Sequence, residues 1–215
     1  EVKKEVMRYG SLIQRMSNNT RLLLTERDKR EVARLIEKIR THEEITDRIE
    51  QEVAEYLAKI SESEISDEAS LQIRGMLSMV GDWERMGDIY YQMSKTIERK
   101  IEEKIWFTPG QRENIIQMFE TVDEALTIMV NNLEMDYRDV RMTDAYQQEV
   151  NINSFRKKLI KEHFKKVERG NYSFKSATTY SNLFNSLEKI GDHAVNVTEA
   201  IVGEYTDVDE ENELD

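Results

Sequence analysis

The sequence predicts an all-α protein of six long helices, arranged as two tandem pseudo-symmetric three-helix bundles. Three observations carry that reading. Apolar residues recur with the 3.6-residue helical rhythm in six stretches. Breakers are scarce, with one proline and eight glycines in 215 residues, while charged residues make up 34%. The segment Glu84-Arg85-Met86-Gly87-Asp88 is echoed by Glu188-Lys189-Ile190-Gly191-Asp192, 104 positions later. An internal repeat at about half the chain length implies two copies of one unit.

The first helix runs to about Leu24, with Leu12, Ile13 and Met16 spaced for one face. Thr25 and Asp28 offer N-caps for the second, whose stripe includes Val32, Leu35, Ile36, Ile39, Thr46, Ile49, Val53 and Leu57. Ser61 to Asp67 reads as a polar connector, with Ser66 placed to open the third helix. That helix extends to about Ile105 along Met76, Met79, Val80, Trp83, Met86, Tyr90, Ile97 and Ile101. Thr108-Pro109-Gly110 breaks the chain near its midpoint, with threonine as cap and proline at the first position of a fourth helix to about Tyr137. The fifth runs from Thr143 to Arg169, stopped by Gly170-Asn171, and the sixth from Ser173 to Gly203. The repeats are thus 1–107 and 108–203, with 204–215 expected to be a disordered acidic tail.

Net charge is −12, which disfavours a nucleic-acid partner and suits cations. No cysteine is present, so thiolate metal sites and disulfides are excluded. No apolar run reaches bilayer length. The opening Glu1-Val2-Lys3-Lys4 lacks an initiator methionine and already reads as helix, as a piece of a longer protein would.

Acids at i and i+4 stack on one helix face and repel unless a cation offsets them. On a helical wheel Glu84 and Asp88 fall about 100° and 140° from the centre of their apolar stripe, and Glu188 and Asp192 fall alike. Glu43, Asp47 and Glu50 form a further acidic row on the second helix. With the second half aligned on the first, Glu149 matches Glu43 and Asn153 matches Asp47. Oxygen-rich clusters on facing helices suit hard cations. A solvated acidic face with Arg85, Lys95 and Lys189 as local partners is the other reading. Gly87 and Gly191 lie between the paired acids, where a missing Cβ lets a neighbouring helix come close. His42, His163 and His193 form none of the Glu-x-x-His or His-Glu-x-x-His metal motifs.

The run Leu187-Glu188-Lys189-Ile190-Gly191-Asp192-His193-Ala194-Val195-Asn196-Val197-Thr198-Glu199 resembles the signature of PhoU-domain proteins, and Trp83 to Tyr90 is a looser copy. The resemblance implies a metal cluster in each three-helix unit, holding iron, zinc, manganese or magnesium. Its ligands would be Glu43, Asp47, Glu84 and Asp88 in the first half, and Glu149, Glu188 and Asp192 in the second. Asn153 leaves the second cluster one carboxylate poorer, and charge therefore favours the first half. The resemblance further implies a non-catalytic regulator of phosphate transport and homeostasis. Of its two forms, free-standing or fused, the start and length favour the cytoplasmic domain of a sodium/phosphate cotransporter, tethered to the inner membrane by an upstream transmembrane domain. Expected partners are that membrane domain or a phosphate-signalling protein, with a homodimer as a further form. Two other functions remain: an all-α metal-dependent nucleotide pyrophosphohydrolase, whose usual i, i+3 carboxylate spacing differs from this one, and a purely structural helical adaptor.

Overall fold

A computed structural model describes residues 2–61 and 66–212, with side chains described over 8–60 and 66–203 except Glu68. Six α-helices follow one another: α1 (Val2–Thr25), α2 (Lys29–Ser61), α3 (Asp67–Glu102), α4 (Pro109–Glu134), α5 (Thr143–Glu168) and α6 (Phe174–Asn212). Among the described residues there is no strand, and one 3-10 turn, Tyr137–Asp139, interrupts the α4–α5 connection.

Helix boundaries follow cap chemistry. Asp28 accepts from the backbone N–H groups of Arg30 and Glu31 and opens α2. Thr25 instead turns its hydroxyl back onto the Leu22 carbonyl, so it is no cap. Ser66 caps α3 through the Ala69 N–H. Thr108 and Gln111 form a reciprocal capping box at the start of α4, with Pro109 just inside. The helix α3 ends three residues short of the expected Ile105. Lys104 there adopts a left-handed φ of 54°, and the Ile105 N–H returns to the Lys100 carbonyl. No glycine marks this stop, because the turn is held from outside: Phe107 is buried and the Lys100 ammonium lies 4.6 Å from its ring centre. Gly170, at φ 67°, ends α5 as its sequence implies. The last helix continues past Gly203 to Asn212, in place of the expected tail, since no proline or second glycine follows to stop it. The connector at 62–65 and the last three residues lie outside the described ones.

The halves are alike: α2 packs on α1 and α3, and α5 packs on α4 and α6. They are joined by α1 against α4 and α3 against α6, so α1, α3, α4 and α6 close a ring that α2 and α5 flank. One hydrophobic core runs through both units, from Ile13, Met16, Trp83 and Met86 to Phe119, Leu126, Leu187 and Ile190. Polar pins cross the junction. The Ser17 hydroxyl donates to Asp123 at 2.5 Å, and Arg21 pairs with the same carboxylate at 3.3 Å. Buried Asp82 of α3 lies 2.8 Å from the His193 Nδ1 of α6 and accepts from the Asn196 amide at 3.3 Å. His193 and Asn196 therefore tie the repeats together, and Ile89 and Gln92 stand at their places in the first copy.

Candidate metal centre

The two glycines set the geometry. A Cβ on Gly87 would stand 2.6 Å from the Thr46 Oγ1, and one on Gly191 would stand 2.6 Å from the Ile152 Cδ1. Thr46 and Ile152 occupy matching places in the two repeats, so each glycine lets α3 or α6 close onto the second helix of its unit. In the first half that approach brings two acidic rows face to face. One carboxylate oxygen each from Glu43, Asp47 and Asp88 falls within 4.8 Å of the others. Glu84 and Glu50 border the group: after burial and Asp88, the charge of Glu50 raises the Glu84 carboxyl, and both acids act on Tyr9. Glu43, Glu50 and Glu84 are half-buried, while Asp47 and Asp88 face solvent.

The only described cations acting on this cluster do so from a distance, Arg40 on Glu43 and Arg85 on Glu84. Among the described residues no basic side chain forms an ion pair with Glu43, Asp47, Glu84 or Asp88. The carboxyl of Glu43 is held above its ordinary pKa by burial, then by Asp47 and Asp88. Loss of surrounding water and the charge of Asp88 raise Asp47, and burial followed by Asp88, Glu50 and Asp47 raises Glu84. Behind the cluster, the Tyr9 hydroxyl donates to the Thr46 carbonyl and its ring stacks on Trp83, with centres 4.9 Å apart. An all-oxygen donor set, crowded and without an ion-pair partner among the described residues, fits a hard cation such as magnesium, manganese or ferric iron.

The second half holds the same backbone but different charges. The charges of Glu188 and Glu149 reach Asp192, but among the described residues these three acids do not close up as the first-half trio does, and a cation lies beside them. Arg156 places Nη1 3.6 Å from the Glu188 Oε1, and its Nε donates to the Asn185 Oδ1 at 2.7 Å. Arg156 is not among the residues that the acidic motifs single out, although the repeat offset that pairs Asp47 with Asn153 also pairs Glu50 with Arg156. Burial, then Glu188 and Glu149, push the Asp192 carboxyl up to about 6, with His193 and Arg156 opposing.

That shift has a sign. Between about pH 4 and pH 6 the folded chain keeps a proton on Asp192 that the unfolded chain has released, so stability falls as pH rises through this window. Asp192→Asn is expected to raise the melting temperature of metal-free protein at pH 8. The gain should vanish below about pH 4, where both side chains are neutral. Melting curves across pH in the presence of a chelator would check this, and a gain independent of pH would contradict it.

The PhoU domain family model matches residues 6–97, which span α1, α2 and most of α3. In sequence, the first half of this chain is similar to a PhoU domain. The PhoU fold itself extends over both repeats. PhoU from Pseudomonas aeruginosa superposes with a TM-score of 0.80 at 18% identity, covering 94% of this chain and 93% of that one. The phosphate transport system regulatory protein PhoU from Streptococcus pneumoniae gives 0.74 at 21% identity, over 96% and 94% of the two chains. No curated protein matches the sequence. The looser of the two sequence copies, in α3, thus lies in the region that the PhoU domain model matches.

Proposed function

We propose that this PhoU-like chain is a non-catalytic regulatory module of phosphate transport that binds metal through Glu43, Asp47, Glu84 and Asp88. The observation that supports it best is the convergence of Glu43, Asp47 and Asp88 without any ion-pair partner among the described residues. A hard cation there supplies the missing positive charge and coordination positions open to an anion such as phosphate. The protein's own residues do the rest. Glu43 and Asp47 hold α2, Glu84 and Asp88 hold α3, and Gly87 keeps the two at the short separation that a shared ion requires. Ion binding would thereby favour one arrangement of α2 against α3, and a partner reading that face would sense it.

The similarity to a phosphate transport system regulatory protein supports the phosphate context. We place the chain as the cytoplasmic domain of a sodium/phosphate cotransporter, acting on the transporter's membrane domain. Among the described residues no helix is long and apolar enough to cross a membrane, so an anchor would come from another segment. Transmembrane segments directly upstream in the same gene product are the expected finding, and a complete open reading frame without them would redirect the proposal to a phosphate-signalling partner.

Metal analysis of protein purified without chelators tests the site. Wild type is expected to carry iron, manganese, zinc or magnesium, and Asp47→Asn/Asp88→Asn to lose it. Wild type free of metal, with melting unchanged by added manganese, would refute the metal reading. Turnover of a nucleoside triphosphate with magnesium would replace the regulatory reading with an enzymatic one.

A further inference from the structure

We propose that Arg156 is the resident cation of the second carboxylate cluster, standing in for a metal, so that the chain loads metal in its first half alone. The first-half part of this statement rests on the metal reading above. The second-half part rests on its own geometry.

The two clusters share a backbone and differ in side chains. Gly87 against Thr46 and Gly191 against Ile152 set the same close approach in each repeat. On that common frame Glu43, Asp47 and Glu50 of α2 correspond to Glu149, Asn153 and Arg156 of α5, while Glu84 and Asp88 of α3 correspond to Glu188 and Asp192 of α6. Five acids face one seat, and three acids, an amide and a guanidinium face the other. The exchange at one position is the largest: Glu50 adds a negative charge beside Glu84, and Arg156 sets a positive charge beside Glu188.

Arg156 is also anchored. Its Nε donates to the Asn185 Oδ1 at 2.7 Å, and that bond holds the guanidinium with Nη1 3.6 Å from Glu188. Glu188 keeps 15% of its side chain exposed and Arg156 31%, so water screens the pair only in part. A guanidinium keeps its charge at any pH a folded protein meets, whereas a lysine in such a seat can lose it. The second cluster therefore carries a permanent positive charge, and a metal entering it would face both the repulsion of Arg156 and two fewer carboxylates. The two halves thus differ in what they answer to. One seat follows metal supply, and the other holds its helices together at any metal level.

The test uses the full chain, stripped of metal and titrated with manganese alone, with bound metal per chain read by equilibrium dialysis. Asn153→Asp/Arg156→Glu gives the second half the charges of the first. It is expected to bind about twice the manganese of wild type, while Glu188→Gln/Asp192→Asn leaves wild-type binding unchanged. Loss of wild-type metal in Glu188→Gln/Asp192→Asn, or no gain in a folded Asn153→Asp/Arg156→Glu, would overturn the assignment. If wild type binds none and the charge-swapped variant gains it, the first-half reading fails while the role of Arg156 stands.

Melting of Arg156→Ala supplies a second readout. Its melting temperature should fall in metal-free buffer and recover on added manganese, and Arg156→Lys should stay close to wild type without metal. A fall that manganese does not reverse would mean that Arg156 only packs, and would equally overturn the proposal.

Discussion

Replacing Gly87 with valine should remove about 3 kcal/mol of stability, at the upper end of overpacking penalties, and abolish metal uptake with it. Even a single added carbon would lie 2.6 Å from the Thr46 hydroxyl oxygen. That hydroxyl has little freedom to withdraw: Thr46 is fully buried, β-branched, and donates to the Glu43 carbonyl at 2.7 Å. The strain is relieved only by pushing α2 from α3, which separates Glu43 and Asp47 from Asp88. Chemical denaturation and manganese binding on the same sample would check both effects. A variant that loses stability yet binds manganese normally would show that the helix spacing does not set the site. Gly191→Ala is the control, since its Cβ would meet the end of the flexible Ile152 side chain, which can turn aside.

Trp83→Ala is expected to destabilise the chain by about 3–5 kcal/mol, the range for deleting a large buried aromatic. Trp83 is fully buried in the shared core and stacks on Tyr9, which in turn holds the Thr46 carbonyl of α2. Its loss would leave a void in the shared core and loosen Tyr9. Trp83→Phe should be much milder. It keeps a ring against Tyr9, and the indole Nε1 it removes has no hydrogen-bond partner among the described residues. Equal losses from the two substitutions, measured by denaturant unfolding, would contradict this account of the packing.

What can be read from sequence alone depends on how local each signal is. The α4 start is legible because Thr108, Pro109 and Gln111 act within one turn, and the α5 stop because Gly170 carries its own conformational freedom. The early end of α3 is not, since Lys104 is forced left-handed by a turn that Phe107 anchors from the core. At the site, the repeat places Glu43, Asp47, Glu84 and Asp88 on facing flanks, and the glycines foretell the close approach. Arg156 is silent in the sequence because ligand patterns are patterns of acids, and its meaning emerges only when the repeats are compared position by position. The bond from His193 to Asp82 is hidden for another reason: it joins residues of different repeats, and no local pattern records how α3 meets α6.

The ring formed by α1, α3, α4 and α6 gives the repeat a history as well as a shape. In a duplicated unit, the faces that meet across the junction are the same two helices seen twice, so the ancestral single unit would have presented them to a copy of itself. With both copies in one chain, each is free to differ alone. Asp82 could then acquire His193 as a partner without its counterpart Ser186 following, and one cluster could trade a carboxylate for an arginine while the other kept its full set. A symmetric pair of chains has no such liberty, because every substitution in it is made twice.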